Sequence, residues 1–148
     1  MAVTVLAVSS LASGLLIIGA QPIVNLSGVL LAPGEATRYV VAAWASVLPP
    51  TFGFTALAIL ASVVTRSSVA GIALPVAAAM AMQLYALVDG PEMPRRVLLT
   101  SSFGAWHGLF VDPHYYAPVV TGTAVSAIYL VVCAAIAHRV LHERDVGR

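Results

Sequence analysis

The chain has 148 residues, 60% of them hydrophobic and only 9% charged, with a formal net charge of +1. An average soluble domain carries roughly 25% charged residues, so a soluble globular domain is excluded; the near-neutral balance argues against a nucleic-acid partner, which would need a basic face. Charge is absent from residues 1–34, 39–65, 67–88 and 115–137, and a run of about 20 apolar residues is what a helix needs to cross a hydrocarbon core of about 30 Å. The expectation is one all-α, polytopic membrane domain over 1–148, with about four transmembrane helices and a short interfacial or re-entrant helix pair.

The first uncharged stretch, 34 residues, would be about 50 Å long as continuous helix. A first span is expected over 3–31, kinked at Pro22, with Pro33-Gly34 as the following turn. A shorter helix ending near Ala20, followed by an interfacial segment, is the alternative. Met1 leads into apolar residues without a basic leader, which does not read as a signal peptide. The chain is expected either to be a piece of a longer protein or to be oriented by something else.

The second span is expected over 39–65, with Pro49-Pro50 as a kink inside it. Lipid tolerates such a kink only where neighbours or water satisfy the freed carbonyls. Thr65-Arg66-Ser67-Ser68 reads as a tight polar turn in which Ser67 or Ser68 caps the next helix. That helix, the third span, is expected over 69–88 and stops at Asp89-Gly90-Pro91.

The segment after it differs in kind. Residues 97–111 are apolar, but 15 residues reach only about 22 Å as helix, too short for a span. They are expected to form short interfacial or re-entrant helices. Phe103, Trp106, Phe110, Tyr115 and Tyr116 cluster here, and aromatic rings favour the headgroup level. The last span is expected over 115–137, running into a charged helical tail from His138 to Asp145.

All seven basic residues are Arg. With the heavy Ala and Val usage, this composition resembles that of a GC-rich bacterial genome, hence a bacterial plasma membrane. The Arg66 turn and the tail place Arg66, Arg139, Arg144 and Arg148 on one side, against Arg38, Arg95 and Arg96 on the other. The positive-inside rule then puts both termini in the cytoplasm.

No span holds a carboxylate, His or Arg at depth, which ion-coupled transport usually requires. A Walker-type phosphate loop needs a Lys, and the chain has none. Cys133 is the single cysteine, so an internal disulfide and a Cys-based metal site are ruled out, and it reads as a small buried hydrophobe. His138 and His142 share a helix face at i, i+4, but a solvated helix end accounts for them. No catalytic or metal-ligating residue is expected. Gly122 and Ser126 form a small-xxx-small pair that permits close helix packing.

Taken together, the layout resembles the C-terminal part of a type-2 ATP-binding-cassette (ABC) transporter permease, the family of bacterial drug and polysaccharide exporters. The likeness rests on a long span closing on a short turn into the next (Ala56 to Gly71), on the short helices before the final span (Leu98 to Phe110), and on the basic ending from Arg139 to Arg144-Asp145-Val146. The resemblance implies a permease component that moves a lipophilic drug, lipid or glycoconjugate. It also implies a cytoplasmic ATP-binding subunit that holds the ATP and Mg, this chain having no cofactor of its own. Such permeases have six spans and work in pairs, and this chain aligns from the third span onward. A second permease chain, or the N-terminal spans supplied elsewhere, is therefore an expected partner, along with membrane lipid.

Under this reading Trp44, Phe52, Phe54, Gln83 and Tyr85 are candidates for the substrate path, and Arg66, Arg144 and Asp145 for contact with the partner or with headgroups. Ordinary helix packing and topology anchoring are the competing explanations. Two other classes stay open: a non-catalytic accessory subunit of a larger membrane complex, and a membrane enzyme built on His107, Asp112 or His114.

Overall fold

The computed structural model describes residues 22–88 and 92–145, together with 5–6, 8–10 and 12–14 of the N-terminal stretch. Of the expected span over 3–31, residues 5–6, 8–10 and 12–14 are helical, and 3–4, 7, 11 and 15–21 lie outside the described residues. Its last third is not helical: β1 (Ile23–Val24) and β2 (Leu30–Leu31) pair antiparallel, Ile23 opposite Leu31. Asn25 makes the turn between them. Its Oδ1 accepts from the Ser27 and Val29 amides at 2.9 and 2.8 Å, and Gly28 supplies a φ of +81°. Side-chain bonding of this kind competes with helix and favours turns.

Four helices follow: α1 (Pro33–Thr65), α2 (Ser68–Leu87), α3 (Glu92–Val97) and α4 (Ala117–Asp145). Between α3 and α4 a run of 3-10 turns covers Leu99–Phe110. Among the described residues, three helices are long and apolar enough to cross a membrane: Pro33–Thr65, Ser68–Leu87 and Ala117–Arg144.

α1 begins earlier than the expected 39. Pro33, anticipated as a turn, is the first residue of the helix, a position where its missing N–H costs nothing. α1 ends at Arg66, in the left-handed conformation at φ 55°, and Ser67 Oγ then accepts from the Ala70 amide to cap α2. α4 continues beyond 137 to Asp145, the charged helical tail that the sequence led one to expect.

α1 is the centre of the bundle, packing on α2, α4 and the 3-10 leg. α1 and α2 are antiparallel across the Arg66 turn, with Gly71 seated on Ser62. α4 runs parallel to α1, and its end is tied to the end of α1. Arg144 Nη1 donates to the Val63 carbonyl at 2.6 Å and Nη2 to the Val64 carbonyl at 3.3 Å. Those are carbonyls that a helix C-terminus leaves without an internal partner. Pro49 and Pro50 lie within α1, Pro50 fully buried. Hydroxyls around them turn onto their own helix, Ser46 to Ala43 and Thr51 to Val47, both at 2.7 Å.

The 3-10 leg runs antiparallel to α1. Leu99 abuts Gly53, where a Cβ would sit 2.9 Å from Leu99 Cδ1, and at the far end Phe110 meets Tyr39. Gly53 is 12 residues from Thr65, about 18 Å of helix. Were the Arg66 turn to lie at one face of a core about 30 Å thick, Leu99 would fall near mid-depth and the leg would climb to the opposite face, the course of a re-entrant segment. Buried Leu99, Ser102 and Ala105 recur every three residues, the spacing at which 3-10 side chains align. Ser102 faces Gly122 of α4 so closely that a Cβ there would lie 3.0 Å from the Ser102 Cβ. Gly122 therefore admits the leg against α4.

Candidate functional site

Two clefts flank the re-entrant leg, one on each side. The first is apolar and lies between the leg and α1. Val40, Ala43, Trp44 and Val47 form one wall and Trp106 and Phe110 the other, enclosing about 330 Å³. Trp106 meets Phe110 edge-on, with centroids 5.9 Å apart and an interplanar angle of 84°. Trp44 is 21 residues from Thr65, about 31 Å of helix, which is about the thickness of a hydrocarbon core, and Trp is favoured at a membrane interface.

The expected path residues divide. Trp44 lines the groove. Phe54 stacks on Phe103, centroids 6.0 Å apart, and so fastens the leg to α1. Phe52, two residues away on the helix, is exposed on another face. Gln83 and Tyr85 are exposed near the far end of α2, and neither lines the groove. Trp106 and Phe110, for which the sequence favours interfacial anchoring over a part in a site, line the groove with Trp44.

Of the contact candidates, Arg66 is exposed in the turn. Arg144 is occupied by the carbonyls of α1. The side chain of Asp145 lies outside the described residues.

Above the groove, the loop before α4 is bound to α1. His114 Nδ1 is 3.0 Å from the Val111 carbonyl and Nε2 is 2.6 Å from the Tyr39 hydroxyl. A carbonyl only accepts, so Nδ1 carries the proton; in neutral His114 the Tyr39 hydroxyl then donates to Nε2. The Asp112 amide donates to Ser27 Oγ at 2.9 Å, and the Leu26 amide to the Phe110 carbonyl at 3.0 Å. The turn between β1 and β2 thereby lies across the top of the leg. His114 is thus tethered to Tyr39 of α1 and to the Val111 carbonyl. Tyr39→Phe should lower stability by about 0.5–1.5 kcal/mol, one net hydrogen bond, in reversible unfolding in mixed micelles. His114→Phe on the Tyr39→Phe background should add little from this bond. A fully additive double variant would show that the bond contributes nothing.

The second cleft, about 400 Å³, opens between α3, the start of the leg and the start of α4. Arg95 and Arg96 line it with Ser101, Ser102, Tyr115, Ala117, Pro118, Thr121 and Gly122. Arg95 reaches back to donate from Nη2 to the Val88 carbonyl at the end of α2. Its Nε is buried and has no hydrogen-bond partner among the described residues. Sequence reading used these arginines only for orientation.

Among the described residues, no group of three His, Cys, Asp or Glu could hold a metal. His138 and His142 lie with ring centroids 6.3 Å apart.

No family model matches the chain. Neither does any curated protein or any solved structure. The functional reading therefore stands on the two clefts and the leg between them.

Proposed function

We propose that this chain is a transmembrane component of an exporter of the type-2 ABC permease kind. It would move a lipophilic drug, lipid or glycoconjugate across the bacterial plasma membrane, with ATP and Mg held by a separate cytoplasmic subunit. The Arg66 turn and the end of α4 would face that subunit.

One observation carries this reading: the re-entrant leg. Irregular backbone at membrane depth persists only where protein buries it or where it lines a cavity. The leg meets both conditions, with Leu99, Ser102 and Ala105 buried and Trp106 and Phe110 facing the groove. A groove shared between the leg and α1 opens or closes when the two shift relative to one another, as alternating access requires. Its walls are aromatic and aliphatic, which suits an apolar substrate. The spans contain no carboxylate, Arg or His between residues 39 and 65, 68 and 87, or 117 and 137. Coupling to an ATPase accounts for the energy where coupling to protons has no group to use.

Gentle solubilisation from the native membrane should recover an ATP-binding subunit with a Walker phosphate loop in near-stoichiometric amount. A stable complex lacking any ATPase would instead make the chain an accessory subunit. Trp44→Ala and Trp106→Ala should each weaken substrate handling about tenfold, since a buried aromatic contributes roughly 150–250 Å² of contact. Membrane insertion should be unaffected, and the readout is resistance to a panel of lipophilic drugs. Phe52→Ala, on the exposed face, should leave resistance unchanged.

A further inference from the structure

We propose that the Arg95–Arg96 cleft binds the phosphate-bearing headgroup of an anionic membrane lipid. This stands on the cleft itself and does not require the exporter reading. Two guanidinium side chains from α3 share one concavity with the hydroxyl-bearing side chains of Ser101, Ser102, Tyr115 and Thr121. Arginine presents planar, forked donors that match phosphate oxygens, and it keeps its charge at any physiological pH. No carboxylate lines the cleft among the described residues.

Location selects a lipid over a soluble anion. α3 follows the outer end of α2, where Arg95 is anchored to the Val88 carbonyl, and leads down to Leu99, which lies near mid-depth by its contact with Gly53. The arginines thus lie between the membrane interface and the bilayer centre. The Arg95 charge there is costly unless it pairs or reaches the headgroups. The Arg95 Nε, buried without a hydrogen-bond partner among the described residues, is a donor that an arriving phosphate oxygen would satisfy, and buried polar groups are rarely left unpaired. The flanking residues Val97 and Val120 are exposed and apolar, as acyl chains beside the bound headgroup would need. Basic pockets between membrane helices bind anionic headgroups by this combination of charge and apolar surroundings. A volume of about 400 Å³ falls within the range of small-molecule sites.

Native mass spectrometry of the purified, detergent-solubilised chain tests this, with phosphatidylglycerol and phosphatidylcholine added separately. The wild type should retain phosphatidylglycerol in preference to phosphatidylcholine. Arg95→Gln/Arg96→Gln should weaken that retention at least about tenfold, as loss of charge-assisted hydrogen bonds implies. Arg139→Gln, whose arginine pairs with Glu143 at 3.2 Å elsewhere on α4, should not change it. Because Arg95 also caps α2, Thr121→Leu provides a second variant that fills the cleft and keeps both arginines; it should lose the lipid as well. Inorganic phosphate in large excess should not displace the lipid. Undiminished phosphatidylglycerol binding in both variants, or ready displacement by inorganic phosphate, would overturn the lipid assignment.

Discussion

Gly53→Ala should destabilise the protein by about 1–3 kcal/mol, the usual cost of overpacking a filled site. The added Cβ would lie 2.9 Å from Leu99 Cδ1 and 3.1 Å from Cδ2. Leu99 is completely buried and cannot swing into open space. Leu99→Ala should also cost about 2–5 kcal/mol through the cavity it leaves. The two changes together should cost less than their sum, because the methyl added at position 53 enters the space that Leu99 vacates. A coupling of about 1 kcal/mol or more, measured by unfolding the four proteins in mixed micelles, is expected for residues in direct contact. Strict additivity would mean that the leg does not reach α1 at this depth, and the re-entrant placement would fail with it.

That contact also marks how far the fold was legible beforehand. The three long helices follow from where charge is missing, a signal set by the cost of about 2.5–3.5 kcal/mol for a charge at the centre of a span. Their ends were harder. Glu35 and Arg38 sit in the first turns of α1, so counting from the nearest charge starts the helix too late. A shorter first helix followed by a segment that does not span was among the expectations, and the side-chain bonds of Asn25 supply the turn within that segment.

The leg was legible as too short to span. Its 3-10 geometry was not, because the three-residue spacing of Leu99, Ser102 and Ala105 shows in their burial and not in an apolar pattern. Gly108 continues that spacing, and a Cβ there would run into the Tyr115 carbonyl.

The candidate site was less accessible, for a geometric reason. Phe52 and Phe54 differ by about 200° around a helix of 3.6 residues per turn, so one side of α1 could never present both. Trp44 finds its groove only with Trp106, 62 positions later, and Arg95 and Arg96 find theirs only with the start of α4. Long-range pairing of that kind is set by packing, which periodicity within a segment does not report. The resemblance to an exporter permease described the order of elements, not these contacts.

Arg144→Met should destabilise by about 1–3 kcal/mol, through loss of charge-assisted bonds to the Val63 and Val64 carbonyls. The lower part of that range is favoured because the longer bond is exposed to solvent. Arg144→Lys should restore only part, since an ammonium lacks the fork that spans two carbonyls at once. A headgroup anchor would behave differently: any cation would serve, and Lys would match Arg. The comparison therefore separates a role in clamping α4 to α1 from a role in orienting the chain.

The same bond has a topological consequence. It holds position 144 beside the Arg66 turn, while His107 lies at the other end of the leg. Single cysteines introduced at 66 and 144, on a Cys133→Ser background, should react with an impermeant maleimide from the same side of the membrane. A cysteine at 107 should react from the opposite side. If 66 and 144 were labelled from different sides, the parallel packing of α1 and α4 could not exist in the bilayer, and the second cleft would lose the wall that α4 supplies.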